Sequence, residues 1–252
     1  MTTPTPTPLP PLTEDWDRAL CVVAHPDDLE FGAAAAGARW TGQGKRIAYC
    51  MVTSGEAGID GLHPDECRRV REAEQVDSAR LVGVETVEFL GFPDGVVEYG
   101  LPLRRAIADA VRRHRPDIVV TGNFRETWGG RNLNQADHVA VGRAVVDGVR
   151  DAGNRWVFPD QLAPGGLQPW DGVREVWAAG SPQATHAVDT TATFDAGVAS
   201  LEAHRAYLDG LGWEHFDPRE FLEGFARQAG QRLEGGAALA ATFEVFPMGW
   251  GD

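Results

Sequence analysis

The chain has 252 residues, of which 43% are hydrophobic and 24% charged, a globular composition that excludes a wholly disordered or fibrous protein. Its 37 Asp and Glu outnumber its 23 Lys and Arg, and the resulting net charge of −14 disfavours binding to phosphate backbones or anionic membranes. No apolar run approaches the ~20 residues that span a bilayer, and the N-terminus lacks a basic-then-apolar signal segment, so we expect a cytoplasmic protein.

The predicted elements begin after a Thr/Pro-rich opening segment. Residues 1–14 disfavour helices and sheet ladders, so we expect a disordered tail and a fold that starts near Trp16. Short β-rich runs then alternate with longer helical patterns, in four pairs: 19–24 with 31–41, 47–53 with 65–83, 86–90 with 101–115, and 117–121 with 136–152. This alternation is typical of an α/β fold with a largely parallel sheet and helices on both faces.

Beyond Gly153 the pattern is less regular. A stretch rich in Pro, Gly and Trp is followed by an apolar run at 173–179, helical patterns at 194–211 and 218–233, and a last run at 238–246 that is either a strand or a helix ending. No clear linker interrupts the chain. We therefore expect a single domain over 15–252, with a core at 15–153 and a C-terminal lobe at 154–252 packed on it.

The three cysteines offer little chemistry. Cys21, Cys50 and Cys67 cannot all pair, and they lack the close paired spacing of a thiolate zinc site. Cys21 and Cys50 lie in strand-like apolar runs, where small buried residues are common. The sequence therefore favours neither a disulfide framework nor a cysteine nucleophile.

The end of the first predicted strand carries a cluster of candidate metal ligands. Residues 25–30 read His-Pro-Asp-Asp-Leu-Glu, and α/β sheets bind ligands where strands turn into helices. Pro26 stiffens the turn, so His25 and Asp28 can point at one place. Two adjacent carboxylates also repel each other unless a cation neutralises them. A plainer interpretation is that Asp27 or Asp28 only caps the next helix.

A second cluster opens the helix after the fourth predicted strand. Residues 134–138 read Asn-Gln-Ala-Asp-His and lie at the same carboxyl edge of the predicted sheet. His25, Asp28 and His138 could converge there, and two His with one Asp leave one zinc position open for water, as in catalytic sites. A lone His in the first turn of a helix is more often a surface residue. The partnership with the first cluster favours the metal site.

Residues 22–37, VVAHPDDLEFGAAAAG, resemble the Ala-His-Pro-Asp-Asp signature of the LmbE-like, or PIG-L, metal-dependent N-deacetylases. The similarity covers most of residues 18–152 and includes further motifs in the family's order. These are MVTSGEAG at 51–58, REAE at 71–74 ahead of LVGV at 81–84, LGFPDG at 90–95 and QADHVAVG at 135–142. The tail segments LEAHR at 201–205 and AATFEVF at 240–246 are less specific matches.

The resemblance implies a Rossmann-like hydrolase that binds one zinc ion and removes an acyl group, usually acetyl, from an amino group, typically on an amino sugar. Position by position, His25, Asp28 and His138 match the family's metal ligands. Asp27 matches the general base, which would take a proton from the attacking water.

One position departs from the family's pattern. Relatives commonly have His-Pro-Asp-His at 135–138, and the first His, linked to stabilising the charged intermediate, is here Gln135. Gln cannot carry a positive charge or shuttle a proton, but its amide can donate a hydrogen bond to a developing oxyanion. We therefore expect Asp27 to act as both base and acid. Asp137 either orients a neighbouring side chain or only complements the positive helix N-terminus.

Five residues are candidates for substrate binding. By resemblance, Arg71 and Asp94 match positions that contact the sugar-bearing substrate, and His204 falls in the tail motif. The loop before the second cluster adds Trp128, an aromatic plate for a sugar face, and cationic Arg131. The same loop could instead be a flexible surface connection.

The sequence thus predicts a zinc-dependent N-deacetylase of small-molecule amino sugars, with ferrous iron as an alternative metal because His and carboxylate ligands suit both. An amidase acting on a non-sugar metabolite would use the same chemistry. A non-catalytic small-molecule-binding relative is a third interpretation, because Gln135 replaces the family's His. We expect no nucleic-acid or membrane partner, and exposed Trp and Phe in the tail would be compatible with a homo-oligomer.

Overall fold

The centre of the fold is a seven-stranded sheet, seen in a computed structural model that describes residues 7–213 and 215–249. In chain order the strands are β1 (Arg18–Val23), β2 (Arg46–Met51), β3 (Thr86–Phe89), β4 (Ile118–Gly122), β5 (Glu175–Ala179), β6 (His186–Asp189) and β7 (Ala240–Pro247). Their order across the sheet is β3-β2-β1-β4-β5-β7-β6. The strands from β3 to β5 pair in parallel, and β7 runs antiparallel to both of its neighbours.

Helices cover both faces of this sheet. They are α1 (Ala34–Gly42), α2 (Pro64–Leu81), α3 (Leu101–His114), α4 (Ala136–Gly153), α5 (Phe194–Glu202), α6 (Arg205–Gly210) and α7 (Pro218–Arg232), with a short 3-10 turn at Pro159–Leu162. None of the helices in the described ranges has the length and hydropathy needed to cross a bilayer. The predicted α/β fold, with a largely parallel sheet and helices on both faces, is confirmed.

The central strand β1 is buried on both faces, which explains its unbroken apolar sequence. Successive side chains point to opposite faces of a strand. Cys21 and Val23 accordingly join an apolar cluster with α1, whereas Leu20 and Val22 join a cluster with α3 and α4. Both clusters hold the strand in place, so the turn that follows it starts from a fixed point.

The carboxyl ends of β1 and β4 lie side by side at the point where the strand order reverses. The chain leaves β1 towards β2 on one side of the sheet, whereas β4 lies on the other side of β1. Parallel sheets bind ligands in the crevice that opens at such a switch point. The two sequence clusters, at 25–30 and 134–138, follow these two strands.

The C-terminal lobe differs in detail from the sequence prediction. The predicted helix at 194–211 is two helices, α5 and α6, because His204 leaves helical geometry at ψ 51° and begins a new helix. The run at 238–246 is a strand, β7. The edge strand β6 was not predicted, since four residues are too few to show a period. Because β5, β6 and β7 continue the central sheet, the lobe shares its core.

The structure of the opening segment also differs from the sequence prediction. The predicted disordered tail spans 1–14, but Leu9 and Leu12 are only 3% and 6% exposed. The Leu9 N–H donates to the Arg232 carbonyl, and the Leu12 N–H donates to the Ala187 carbonyl at 2.9 Å. The extended Pro-rich backbone leaves the N–H groups of Leu9 and Leu12 available for hydrogen bonds to the rest of the fold. The side chains of the two leucines are buried, which also holds the segment in place. Residues 1–6 lie outside the described residues.

We expect Gly197→Ala to destabilise the protein, because a Cβ at this position would lie 2.8 Å from the Ala35 Cβ where α5 crosses α1. Overpacking of this kind costs about 1–3 kcal/mol of unfolding free energy. Gly224 offers a matched control, since it is also inside a helix but a Cβ there meets no atom within 4 Å. Gly224→Ala should be neutral or stabilising by up to about 1 kcal/mol in urea unfolding. Equal effects of the two substitutions would contradict the close packing of α5 on α1.

Candidate active site

The turn after β1 is tightly constrained. The His25 N–H donates to the Asp28 Oδ2 at 2.9 Å, and the Asp27 N–H donates to the Oε1 of Gln75 at 2.9 Å. Asp27 has φ +85°, in the left-handed region that costs a residue with a side chain about 1–3 kcal/mol. Strain held in place by buried hydrogen bonds is typical of functional turns, so this backbone is itself a signal of a site.

Three predicted metal ligands converge at the switch point. His25, Asp28 and His138 each offer one ligand atom, and these atoms all lie within 4.8 Å of one another. The His138 Nε2 is 3.0 Å from the Asp28 Oδ1 and 3.2 Å from the His25 Nδ1. Two nitrogens and one carboxylate oxygen directed at one point are a donor set that suits a borderline divalent cation such as zinc. The residues present therefore fit a divalent cation of this kind.

The electrostatics of this cluster follow from its burial. Burial alone would raise the pKa of Asp28, but the imidazoles of His138 and His25 outweigh it and lower that pKa. Burial would likewise lower the pKa of His25, yet the carboxylates of Asp28, Asp137 and Asp94 raise it well above its ordinary value. Buried negative charge thus stabilises positive charge at this point, whether carried by protons or by a cation.

Outer partners fix the orientation of both imidazoles. The His25 Nε2 lies 3.1 Å from the Asp94 Oδ1 and 3.3 Å from the Asp137 Oδ2. The His138 Nδ1 lies 2.9 Å from the Asn134 Oδ1, so a proton on Nδ1 leaves the Nε2 lone pair directed at the cluster. Such contacts to carboxylates and amides set the tautomer and basicity of metal-bound histidines.

These outer partners are themselves anchored. The Asp137 carboxylate accepts the N–H groups of Gly95 at 2.8 Å and Val97 at 3.1 Å. The Asn134 amide donates to the carbonyls of Asn123 and Arg125 at 2.8 and 2.9 Å. Asn134 was not predicted as a site residue. Asn134 lies four residues before His138, and this spacing could have identified it as a contact of the His138 side chain.

Asp27 lies beside the cluster with its carboxylate buried. Its Oδ1 is 3.4 Å from the Nη2 of Arg71, and within the described ranges its Oδ2 has no hydrogen-bond partner. Burial raises the pKa of Asp27, the Arg71 guanidinium lowers it and Asp28 raises it again, to about 6 overall. A carboxylate with one unpartnered oxygen and a pKa near neutrality has the properties of a general base.

Tyr207 was missed by the sequence analysis. Its ring lies over the Arg71 guanidinium, with 3.6 Å between the ring centroid and the Arg71 Cζ. Burial and the nearby Asp27 carboxylate raise the pKa of the Tyr207 hydroxyl. Arg71, at 2% exposure, also donates to the Pro26 carbonyl. In this structure the Arg71 side chain is covered by Tyr207 and holds the turn, and the expected sugar contact of Arg71 stays a prediction.

A buried polar network lies behind Asp27. The Glu30 Oε1 accepts hydrogen bonds from the Gln75 Nε2 at 2.9 Å and the Ser78 Oγ at 2.6 Å. His204, a predicted substrate contact, is fully buried with its Nε2 3.8 Å from the same oxygen. Within the described ranges neither ring nitrogen of His204 has a hydrogen-bond partner, and its substrate contact stays a prediction. Residues 71, 75 and 78 share one helix face, and this buried polar stripe was a readable signal for Gln75 and Ser78.

The remaining predicted residues lie nearer to solvent. Trp128 is 47% exposed and meets the His138 ring edge-on, with 5.9 Å between ring centroids. Asp94 faces His25 and accepts the Ala57 N–H at 2.9 Å. Arg131 is exposed, and Gln135 is an exposed N-cap of α4 whose side chain makes no capping hydrogen bond.

The fold and site together define a class of protein. A parallel α/β sheet with a His/Asp metal site at its switch point, and a buried carboxylate beside it, has the parts of a metal-assisted hydrolase. The chain belongs to the PIG-L family, since the profile described as "GlcNAc-PI de-N-acetylase" matches residues 20–149. Relatives of this chain are N-deacetylases, and LmbE-like deacetylases are metal-dependent.

Individual relatives are similar over most of their length. The chain is 26% identical to diacetylchitobiose deacetylase of Thermococcus kodakarensis, over 88% of this chain and 82% of that protein. It is 25% identical to 1D-myo-inositol 2-acetamido-2-deoxy-alpha-D-glucopyranoside deacetylase 2 of Saccharopolyspora erythraea, over 86% of this chain and 94% of that protein. The structure of N,N'-diacetylchitobiose deacetylase from Pyrococcus horikoshii superposes with a TM-score of 0.83 at 23% identity, over 93% and 85% of the two chains, which shows the shared fold.

We expect Asn134→Ala to weaken metal binding about 10- to 100-fold, because the His138 imidazole loses the partner that fixes its tautomer. Metal affinity would be measured by competition with a chromogenic chelator. Asn154→Ala removes the same side chain at the other end of α4 and should leave the affinity unchanged. Wild-type affinity in the Asn134 variant would contradict the orienting role.

Proposed function

We propose that the protein is a zinc-dependent hydrolase that removes the N-acetyl group of an amino sugar or an amino-sugar-containing metabolite. The observation that carries this proposal is the convergence of His25, Asp28 and His138 beside the buried Asp27. The deacetylases similar to this chain act, by their names, on diacetylchitobiose and on an acetamido-deoxyglucopyranoside of inositol. Both substrates carry an acetamido group on a sugar.

The space beside the metal ligands supports a short acyl group. A cavity of about 60 Å³ borders Asp28 and His138, and it is otherwise walled by small or apolar residues such as Ala24, Gly122 and Val141. A cavity of this volume has room for a small group of the substrate. An acetyl group would fit in this space beside Asp28 and His138.

The proposed mechanism assigns separate tasks to the residues. A zinc ion held by His25, Asp28 and His138 would polarise the amide carbonyl and lower the pKa of a bound water towards ~7. Asp27 takes the proton of the attacking water on its unpartnered Oδ2 and passes it to the leaving amine. Gln135, at the N-terminus of α4, donates a hydrogen bond to the developing oxyanion.

Three further residues act by holding these groups in place. Asp137 fixes His25 through its Nε2, and Arg71 holds the carboxylate of Asp27. His204 supports the network behind Asp27 through Glu30. We propose positioning roles for Asp137, Arg71 and His204, because side chains that are 1%, 2% and 0% exposed have no surface for a sugar. Substrate contact falls to the exposed residues Trp128 and Arg131. We also propose a substrate contact for Asp94, whose side chain is 6% exposed beside His25.

The proposal also covers the partners, the location and the oligomeric state of the protein. We propose a small-molecule substrate, no nucleic-acid or membrane partner, and a cytoplasmic location, which the three free and buried cysteines support. Trp213 and Phe225 are 52% and 64% exposed on the C-terminal lobe, which supports a homo-oligomer formed through that surface.

The experiment that tests the function is a screen of N-acetylated amino sugars for acetate release by the protein loaded with zinc or with ferrous iron. We expect release that stops when a chelator removes the metal and returns when zinc is added. Hydrolysis only of non-sugar amides would favour the amidase alternative. Metal binding with no acetate from any N-acyl compound would favour a binding protein.

We expect Asp27→Asn to lower kcat about 10²- to 10⁴-fold, because the amide cannot accept the water's proton. The variant should still bind about one zinc ion per chain, since Asp27 is not among the three proposed ligands. Asp77→Asn is the control, because Asp77 is exposed on α2 and pairs with Arg80 on the same helix. Loss of the metal in the Asp27 variant would instead make this residue a ligand.

We expect Gln135→Ala to lower kcat about 10²-fold with little change in KM, because an oxyanion donor acts mainly in the transition state. Gln135→Glu keeps the size of the side chain but repels the oxyanion, and it should be at least as slow. Both variants would be compared in steady-state kinetics. Full activity of the alanine variant would show that another group donates this hydrogen bond.

A further inference from the structure

A buried carboxylate of the C-terminal lobe is not used by the proposed mechanism. Glu244 lies on β7 and is 6% exposed, and its neighbour across the sheet is the small apolar residue Ala178. A charged side chain at such a strand position is unfavourable unless a partner neutralises it. Its partner is Arg125, which donates from Nε to the Glu244 Oε2 at 3.1 Å and from Nη2 to the Oε1.

The two members of this ion pair differ in how firmly they are held. The Glu244 Oε2 also accepts a hydrogen bond from the buried Ser181 Oγ at 2.6 Å. The side chain of Arg125 is 35% exposed, against 8% for that of Glu244. Glu244 is therefore the fixed member of the pair, and its carboxylate keeps the Arg125 guanidinium on the sheet instead of in water.

Arg125 belongs to the segment that fixes Asn134. The Arg125 N–H donates to the Asn123 Oδ1 at 3.0 Å, which fixes the course of the chain directly after β4. The carbonyls of Asn123 and Arg125 accept hydrogen bonds from the Asn134 Nδ2 at 2.8 and 2.9 Å. The position of the Asn134 side chain therefore depends on the backbone of Arg125.

Asn134 in turn contacts a proposed metal ligand. Its Oδ1 lies 2.9 Å from the Nδ1 of His138, whose other ring nitrogen faces Asp28. A continuous path of polar contacts thus leads from Glu244, through Arg125 and Asn134, to the imidazole of His138. This path connects the last strand of the chain to the metal ligands.

An apolar contact holds the same segment independently. Phe124 packs on Phe246 of β7, with 5.4 Å between ring centroids, and a Cβ on Gly142 would lie 2.3 Å from the Phe124 Cβ. Loss of the ion pair should therefore loosen the segment without unfolding it. The role of the ion pair can accordingly be tested by substitution.

We propose that Glu244 is a positioning residue of the metal site, which acts through Arg125 and Asn134 to orient the imidazole of His138. This inference rests on the metal site of the proposed function and extends it to the C-terminal lobe. Contacts to the second ring nitrogen set the tautomer and direction of metal-bound histidines. Because the contact of Glu244 with His138 is indirect, its effect on metal binding should be smaller than that of Asn134.

The first test compares the zinc affinities of Glu244→Gln and Asp151→Asn by competition with a chromogenic chelator. Asp151 forms a matched two-bond ion pair with Arg104, with similar exposure, but it lies near the far end of α4 from His138. We expect Glu244→Gln to weaken zinc binding about three- to tenfold and Asp151→Asn to leave it unchanged. Equal zinc affinities in the two variants would overturn the proposal.

A double-mutant cycle tests the path of contacts. Asn134→Ala removes the last link before His138, so the further change Glu244→Gln should then alter zinc affinity by less than about twofold. Losses of affinity that multiply in the double variant would overturn the path through Asn134.

NMR of isotope-labelled histidine rings in the zinc-loaded protein gives a direct signal from His138. Its Nδ1 proton faces Asn134, and a well-placed acceptor slows the exchange of this proton with water. We expect faster exchange in Glu244→Gln than in the wild type or in Asp151→Asn. Unchanged exchange in Glu244→Gln would overturn the proposal.

Arg125→Lys serves as the test variant if Glu244→Gln does not fold. Lysine keeps the positive charge beside Glu244, but its ammonium cannot make the two parallel hydrogen bonds of a guanidinium. We expect zinc affinity to fall about threefold, the value of one hydrogen bond, whereas Arg104→Lys should leave it unchanged. The same zinc affinity in both lysine variants would overturn the proposal.

These measurements separate the inference from the proposed function, because zinc affinity and proton exchange need no turnover. A protein that releases no acetate but shows the expected loss of zinc affinity in Glu244→Gln would retain the positioning role and reject the deacetylase. Acetate release by a protein whose zinc affinity does not depend on Glu244 would retain the deacetylase and reject the positioning role.

Discussion

The structure depends on one charge balance, between the carboxylate of Asp28 and the imidazoles of His25 and His138. Buried carboxylates are unfavourable unless positive charge lies next to them. Asp27 is held directly beside this cluster, so the turn concentrates negative charge at the end of a buried strand. The neighbouring helix α4 must therefore bring its histidine to the same point. A metal ion placed there would satisfy all of these groups at once.

The surrounding polar network keeps this geometry fixed. Arg71, Gln75 and Ser78 project from one face of α2 and hold Asp27 and Glu30 through buried contacts. Buried polar networks of this kind stabilise a structure only when nearly every group has a partner. Several buried atoms of this network have no hydrogen-bond partner within the described ranges, among them the Asp27 Oδ2, the Glu30 Oε2 and both ring nitrogens of His204. The backbone of Asp27 is also strained, so these departures from a well-satisfied interior lie around the proposed general base.

Much of the fold and the metal cluster was predictable, because strands buried on both faces give unbroken apolar runs and their carboxyl ends meet at one sheet edge. The two sequence clusters at 25–30 and 134–138 could therefore be combined without coordinates. Tyr207 could not be found in this way. It reaches Arg71 from a helix that begins only because the chain breaks at His204, and sequence periodicity did not show that break.

Two short or irregular segments were also not predicted correctly, because their sequences show no hydrophobic period. Edge strand β6 has four residues, and the opening segment is Pro-rich, so neither has a hydrophobic period. Their order comes from tertiary contacts, such as the burial of Leu9 against the C-terminal lobe. Similarly, the exposed positions of Arg131 and Gln135 depend on loop geometry that no local rule specifies.

The two cavities are built from different parts of the chain. The metal ligands, Asp27 and most of the small cavity beside them come from residues 24–141, whereas a larger neighbouring cavity of about 470 Å³ draws most of its walls from residues 180–242. Amino-acid changes in the second part can therefore reshape the larger cavity while leaving the metal ligands intact. The metal site and the space next to it are thus encoded by separate stretches of one polypeptide, so that one can diverge while the other is retained.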